Sequence, residues 1–522
     1  MKRPKLVLIG IDAADSRLVR RWASEGYLPT IARLLESGVT AQTTTPLAVL
    51  EGGVWPTFLT SSSPATHGMF SYRTLTPGTY NLDVGMYADR LTIPPFWAHL
   101  SRAGKRVAVV DVPFARPVKR LNGIQVTNWG AHDPWCWKRS SWPPRFIRDL
   151  TKRFGDHPVA ICDKRKRTLP DYEDLRARLI SGIQKKAALL RHCLQMEEWD
   201  FFFGVFSESH CAGHQMWHLM DPGHPRHEPG APPALHSAIR DVYREIDAGI
   251  ATILEITPRD TQVLVMLSHG MGPYYAGSHL LEEVIERLGI NGANGNSAAS
   301  DHDGDSSTAR QTVWSLRRFL PPGVRQTLKT QLSRPISALW QWAHPEPNPR
   351  PRMRAFAVPT NNMSGAIRIN LKGRDSAGLV EPGSEYESLC QKLTESLLAL
   401  ENAETGRSAV QWVKRVEAIY QGPRLSEMPD LFVEWDHSAP ITTLRSPQIG
   451  TVSQVLPQER TGDHFQSGLL LGLGPQFRLG EIMDEVRTQD IAPTILDFFA
   501  VTIPATYEGR SVLPSLRPPS FV

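Results

Sequence analysis

The sequence predicts an α/β protein with a mostly parallel central sheet and helices on both of its faces. Three observations carry that prediction. Short apolar runs rich in β-branched residues recur along the chain, helix-period segments fill much of the space between them, and three of the runs stop at or just before an acidic or histidine residue. Consecutive apolar residues, rather than alternating ones, mark a strand covered on both faces. Strands that alternate with helices imply parallel pairing, with helices packed on both sides of the sheet.

In chain order, KLVLIGID (5–12) reads as the first strand and is closed by Asp12. SRLVRRWASEG (16–26) and LPTIARLLESG (28–38) follow with helical spacing of their apolar residues. RVAVVDV (106–112), DFFFGVFS (200–207) and TQVLVMLS (261–268) are further strands, and ALHSAIRDVYREIDAGIATILEI (234–256) is a helix between the last two. PDLFVEW (429–435) and SGLLLGLG (467–474) read as strands of the same kind, and QDIAPTILDFFA (489–500) as a closing helix. Open α/β sheets gather ligands at the carboxyl ends of their strands. KLVLIGID ends on Asp12, DFFFGVFS stops before Glu208 and His210, and TQVLVMLS stops before His269, so one site at one sheet edge is expected.

A chain of 522 residues exceeds the size at which one core stops growing, so a large α/β unit with insertions, or two to three domains, is expected. The formal charge of +5 arises from mixed signs and does not point to a partner of nucleic-acid type. Cys136, Cys162, Cys193, Cys211 and Cys390 are widely spaced with no CxxC pair, against a disulfide framework or a thiolate zinc site and for free thiols in a reducing compartment. The apolar run in MKRPKLVLIGIDAADS is closed by Asp12 and Asp15, too short for a signal segment, and no window approaches the ~18 apolar residues of a membrane span. A soluble, cytoplasmic protein with no transmembrane segment is therefore expected.

Residues 291–307 (NGANGNSAASDHDGDSS) are loop-like in composition. Residues 308–354 carry nine Arg or Lys against one Glu, interleaved with Trp314, Trp340 and Trp342. This stretch reads either as a lid attracting an anionic substrate or membrane surface, or as a solvated insertion. A second Trp/Arg-rich stretch, WCWKRSSWPPRFIRDLTKRF (135–154), lies in a cap piece near 130–165. The expected organisation is a core of residues 1–289 and 355–522, interrupted by a loop and basic insertion over 290–354.

The histidines carry the chemistry as a group. His210 and His214 lie four apart in SESHCAGHQMWH, so on a helix they share a face and can reach one metal. His218 continues the spacing but sits a full turn further on. His269 in LSHGMGP and His464 in RTGDHFQSG each stand beside glycine, next to a strand. Asp and His side chains converging from separate strand ends suit zinc, and such carboxylates would also hold manganese or iron.

These segments, in this order, resemble the alkaline phosphatase superfamily, specifically its type I phosphodiesterase/nucleotide pyrophosphatase branch. The resemblance runs through VLIGIDAADSRLVRRWASEGYLPTIARLLESG, VWPTFLTSSSPATHGMF, FSESHCAGHQMWHLMDP, LSHGMGP, TGDHFQSGLLLGLGP and QDIAPTILDFFAVTIPATYEGRSVL. It implies a three-layer α/β/α fold with inserted cap segments. It also implies two divalent metal ions, held by three Asp and three His, beside a Thr or Ser nucleophile. Asp12, His214, His269 and His464 match that pattern, and three positions depart from it. Glu51 stands where the nucleophile falls, counting back from Trp55; His210 stands for an Asp; and Ser268 stands for the Asp of an Asp-His pair.

Two of the three departures put back metal-binding side chains. The expected partition is Asp12, Glu51 and His269 around one metal, and His210, His214 and His464 around the other, with zinc ahead of manganese or iron. Glu51 is read as ligand or general base in preference to nucleophile, and Ser268 as hydrogen-bonding a ligand. Ser268, Thr57 and Thr60 are the fallback hydroxyl nucleophiles. The expected activity is metal-dependent hydrolysis of a phosphodiester, pyrophosphate or related phosphoryl bond in a small anionic substrate, with metal-bound water attacking. Two alternatives stay open: a non-phosphoryl reaction such as elimination, isomerisation or iron-dependent oxidation, and a non-catalytic binding protein.

Overall fold

The computed structural model describes residues 5–49, 52–71, 73–83, 91–130, 139–159, 167–291, 348–360, 363–456 and 460–518. Its centre is a nine-stranded sheet of β1 (Leu6–Ile11), β2 (Val39–Thr44), β3 (Val107–Val110), β4 (Gly123–Thr127), β5 (Ser140–Trp142), β6 (Phe201–Phe206), β7 (Gln262–Leu267), β8 (Gly468–Leu473) and β9 (Gly480–Arg487). The spatial order is β9-β2-β8-β7-β1-β6-β3-β4-β5. β8 and β5 run antiparallel to their neighbours, and the other strands share one direction.

Every residue of β1, β6 and β7 is buried, the burial that their unbroken apolar runs demand. On one face, Val7, Ile9, Ile11, Phe202, Phe206, Val263 and Val265 pack under α1 (Ser16–Ser24), α2 (Pro29–Ser37), α4 (Leu169–Met196), α5 (Glu208–Met220) and α6 (Ala238–Ile256), while α3 (Val54–Thr60) belongs to the opposite face. On the other face, Leu6, Leu8, Phe201, Phe203, Val205, Leu264 and Met266 pack against α3 and α7 (Thr488–Phe498). The result is the three-layer α/β/α arrangement.

Register sets the functional edge. Ile11 lies level with Phe206 on one side and Leu267 on the other. The chain therefore leaves the sheet at Asp12, Ser207 and Ser268 side by side, tied by Asp12 N–H to Phe206 C=O (2.9 Å) and Ser268 N–H to Ile11 C=O (3.2 Å). Beyond β7, Gly270–Pro273 pairs antiparallel with the distant segment Gly462–Phe465 as a two-stranded ribbon, which sets His464 opposite Met271, two residues past His269.

Two sequence expectations differ from the fold. PDLFVEW forms a strand, Leu431–Trp435, but in a separate four-stranded antiparallel sheet with Ala355–Ala357, Gly365–Ile369 and Val410–Arg415. A second four-stranded sheet, the strands Glu401–Asn402, Arg407–Ser408, Thr443–Ser446 and Gly450–Ser453, lies in the same stretch, and helix Ser384–Leu398 shares an apolar cluster with both sheets. SGLLLGLG does join the central sheet, as the antiparallel β8. Of the Trp/Arg-rich cap piece, Ser140–Trp142 extends the sheet edge and Phe146–Phe154 is a helix. Residues 292–347, which hold most of the basic insertion, lie outside the described residues. No helix among the described residues is long and apolar enough to cross a membrane, and Cys193, Cys211 and Cys390 are free and buried.

Candidate metal centre

α5 starts directly after β6, with Ser207 at its N-cap and Glu208 in its first turn. Its i, i+4 spacing places His210 and His214 on one face, with their Nε2 atoms 3.2 Å apart. His214 Nδ1–H donates to the Gly462 carbonyl at 2.7 Å, which leaves the Nε2 of this imidazole with its lone pair. Ring nitrogens this close share either one proton or one cation. The His464 ring closes the group, with its centroid 4.9 Å from His210 and 4.6 Å from His214. One nitrogen from each of the three lies within 4.8 Å of the others, and all three residues are buried. A nitrogen-only donor set of this kind suits a borderline cation such as zinc.

His269 extends the group, its ring 4.5 Å from that of His464. Its other neighbour is Ser268. The Ser268 hydroxyl lies 3.1 Å from Asp12 Oδ1, 3.1 Å from the Ala13 N–H and 3.0 Å from His269 Nδ1. A hydroxyl has one proton and two acceptor sites. Its proton goes to the carboxylate, which can only accept, so its lone pairs take the Ala13 N–H and His269 Nδ1–H. His269 Nε2 is then the bare nitrogen, and among the described residues it has no hydrogen-bond partner although it is buried. Burial pushes the imidazole down to about 4 against the pull of Asp12, so it is neutral. An orphaned, lone-pair-bearing nitrogen in a dry site is what a metal ligand looks like before the metal is added.

Asp12, 3% exposed, accepts the Trp55 indole N–H at 2.7 Å on the same Oδ1 that Ser268 approaches, leaving Oδ2 uncommitted by these two. Trp55 belongs to α3, whose preceding residues include Glu51; Glu51 itself lies outside the described residues. The structure thus brings together Asp12, His210, His214, Ser268, His269 and His464.

Two of the fallback hydroxyls are accounted for elsewhere. Thr57 lies 3.0 Å from His67 Nε2, while His67 Nδ1 accepts the Met69 N–H at 3.0 Å. That contact forces the proton onto Nε2, so His67 donates to Thr57 and cannot act as its base. Thr60 donates back to the Pro56 carbonyl at 2.7 Å, within its own helix. His218 packs on Tyr172, and its Nδ1 meets Thr461 at 3.1 Å, under the strand that carries His464.

Sequence reasoning missed Asp463. This buried carboxylate accepts the His464 N–H at 2.8 Å and stands 3.3 Å from His464 Nδ1 and 4.0 Å from His214 Nδ1. It supplies negative charge behind two imidazoles, which raises their basicity toward a cation. Its only signal was adjacency to His464. Also unread was a buried ion network behind α5, in which Lys186 meets Asp111 and Glu208.

Comparison with known proteins bears on the fold and the family. Over 96% of this chain and 95% of the other, the fold matches crystal structures of phosphonoacetate hydrolase from Sinorhizobium meliloti 1021. The match to its phosphonoformate complex has TM-score 0.51 at 14% identity, and that to its phosphonoacetate complex 0.52 at 12%. No curated protein matched the sequence. The profile of the family described as type I phosphodiesterase / nucleotide pyrophosphatase matches residues 6–464, a span that begins on the first strand and ends on the last histidine of the cluster. With that span and an alkaline-phosphatase-like fold, the chain belongs to the type I phosphodiesterase/nucleotide pyrophosphatase family of phosphoryl-transfer hydrolases.

Proposed function

We propose that this protein is a divalent-metal-dependent hydrolase of a phosphodiester, pyrophosphate or related phosphoryl bond in a small anionic substrate, and that water attacks in place of a Ser or Thr hydroxyl. The observation that carries the reading is the state of Ser268. Its proton and both its acceptor sites are committed to Asp12, Ala13 and His269, so it serves as an anchor for the donor set. Thr57, held by His67, and Thr60, held by the Pro56 carbonyl, are likewise engaged away from the His210, His214 and His464 cluster.

The donor set fits metal. In this reading His210, His214 and His464 hold one ion, and Asp12 and His269 hold a second together with Glu51, whose part rests on the sequence. Bound divalent ions supply Lewis-acid activation of water and neutralise charge on the phosphoryl group. The chain's own residues do the remaining work. Trp55 and Ser268 orient the Asp12 carboxylate, Gly462 C=O and Ser268 set the tautomers of His214 and His269, burial keeps the His269 imidazole neutral, and the enclosure of the cluster keeps bulk water out. On the sequence reading, Glu51 would complete the donor set or take a proton from the attacking water.

The test is the stereochemical course at phosphorus. Direct attack by water inverts a chiral phosphorothioate diester, whereas a covalent enzyme intermediate passes through two displacements and retains configuration. Turnover with inversion, dependent on added zinc or manganese and abolished by chelator, is the expected result. Retention would eliminate the water route, and absence of turnover on a panel of phosphodiesters, pyrophosphates and phosphonates with metal restored would eliminate the phosphoryl reading.

A further inference from the structure

Behind the metal centre, on the side of α5 turned away from His464, lies a set of ions that the proposed chemistry does not use. Lys186 of α4 is fully buried, and its Nζ is 2.6 Å from Asp111 Oδ2 and 3.5 Å from Glu208 Oε1. Glu208 Oε1 also lies 3.0 Å from His157 Nε2. Asp111, in a left-handed conformation (φ 60°) just past β3, accepts the backbone N–H groups of Trp129 (2.8 Å) and Gly130 (2.9 Å). The space is tailored to these groups. A Cβ on Gly130 would fall 2.6 Å from Lys186 Nζ, and one on Gly182 would fall 2.3 Å from His157 Nε2.

Burying ions costs solvation that pairing only partly returns, so such a network is weak evidence for stability as such. What it does specify is orientation. Three successive residues at the start of α5 point three ways: Glu208 to Lys186 and His157, Ser209 Oγ to the Asp12 carbonyl at 2.6 Å, and His210 to His214 and His464. The first turn of α5 is thereby clamped between α4, the end of β3 and the end of β1. Burial pushes the Glu208 carboxyl up, but Lys186 and the His157 hydrogen bond outweigh it and bring it to about 2.

We propose that Glu208 and Lys186 are positioning residues of the metal centre, holding the first turn of α5 where His210 and His214 can share one ion. This rests on the reading of His210, His214 and His464 as metal ligands. An imidazole nitrogen must sit within a few tenths of an ångström of its place to bind zinc, and groups behind the ligands set that place.

The experiment measures zinc affinity by competition with a chromogenic chelator, and separately the unfolding midpoint of the zinc-free protein. Glu208→Ala is expected to weaken zinc binding by about 10- to 100-fold. Glu208→Gln, whose amide oxygen still accepts from Lys186 or His157, is expected to recover most of that loss. A control breaks a buried pair remote from the site: Arg374→Met with Asp430→Asn, where Arg374 donates to both Asp430 oxygens at 2.6 and 2.9 Å. The control is expected to lower the midpoint and leave zinc affinity within twofold of the parent protein. If Glu208→Ala fails to fold, Lys186→Met with Asp111→Asn, which removes the opposed charges together, takes its place with the same expected loss. Parent zinc binding with an unchanged Glu208→Ala affinity overturns this inference alone. So does a control that loses as much affinity as Glu208→Ala, because the effect is then global. A parent protein that takes up no divalent ion overturns the metal reading beneath it as well.

Discussion

Ser268→Ala separates the two roles that a serine beside a metal centre can have. The substitution removes only the hydroxyl, so it leaves no cavity large enough to collapse; what it takes away is three contacts in a dry site, to Asp12, Ala13 and His269. The Ala13 N–H and His269 Nδ1–H lose their acceptor. Each buried donor left unpaired costs about 1–3 kcal/mol, so a loss of about 2–6 kcal/mol in the metal-free protein is expected. His269 is then free to turn or change tautomer. Loss of a group that orients a metal-binding histidine lowers affinity about 10- to 100-fold, or about 1.4–2.7 kcal/mol. The assay follows hydrolysis against free zinc concentration for parent and variant, with metal content read in parallel. The expected result is a metal-activation curve displaced by that factor, with kcat at saturating metal recovering to within about tenfold. If Ser268→Ala holds its metal as tightly as the parent yet loses turnover by three orders of magnitude or more, Ser268 is the nucleophile and the argument from its committed hydrogen bonds is wrong.

Further outcomes are expected. Glu51→Gln should lose metal affinity or turnover, and Glu51→Thr should not match the parent's water-derived stereochemistry; retention of both metal and activity in Glu51→Gln would remove Glu51 from the site. Trp55→Phe keeps an aromatic ring but removes part of the indole with the N–H that Asp12 Oδ1 accepts at 2.7 Å, and urea unfolding in chelator should show a loss of at least about 1.5–3 kcal/mol, the range for a hydrogen bond to a charged group, with the space left by the smaller ring adding to it. Acid should destabilise the zinc-free protein through buried neutral histidines outside the metal centre. Burial and the nearby Arg424 hold His67 down at about 3, below its ordinary 6.5. The stability it contributes is therefore complete above pH 6.5 and lost as pH falls toward 3, at about 1.4 kcal/mol per pH unit. His218 and His224, lowered by burial to about 3 and about 4, act in the same direction. Unfolding free energies of His67→Gln between pH 7 and 4.5 should fall about one proton less steeply than those of the parent; an identical slope would contradict the burial argument.

The strands were legible where burial alone shapes the sequence. β1, β6 and β7 are apolar throughout except for Gln262 at the start of β7, because helices cover both faces, and their last residues deliver Asp12, Ser207 and Ser268 to one level. The same logic misplaced PDLFVEW, because an apolar run reports that a strand is covered and not which sheet it pairs with. α4 passed unread: its 28 residues bear polar groups on much of their surface, and their apolar positions packed against α6 and β6 do not form a sharp stripe. His210 and His214 were legible because i, i+4 spacing on a helix is itself a geometric statement. Their partner His464 lies some 250 positions away and reaches them through a long-range strand pairing that periodicity does not encode.

What the sequence by itself determined is the inventory and its local order: an α/β alternation, acidic and histidine residues at strand ends, and the three substitutions at positions 51, 210 and 268. These are properties of neighbours along the chain, and local chemistry is enough to read them. Only the tertiary structure decided what those residues do to one another. It spent the Ser268 hydroxyl on Asp12, Ala13 and His269, put Asp463 behind two imidazoles, and buried a lysine from the middle of α4 between two carboxylates. A hydroxyl, a carboxylate or an ammonium carries no direction in sequence. Its role is set by which partners exclude water around it, and those partners arrive from strands and helices far apart in the chain.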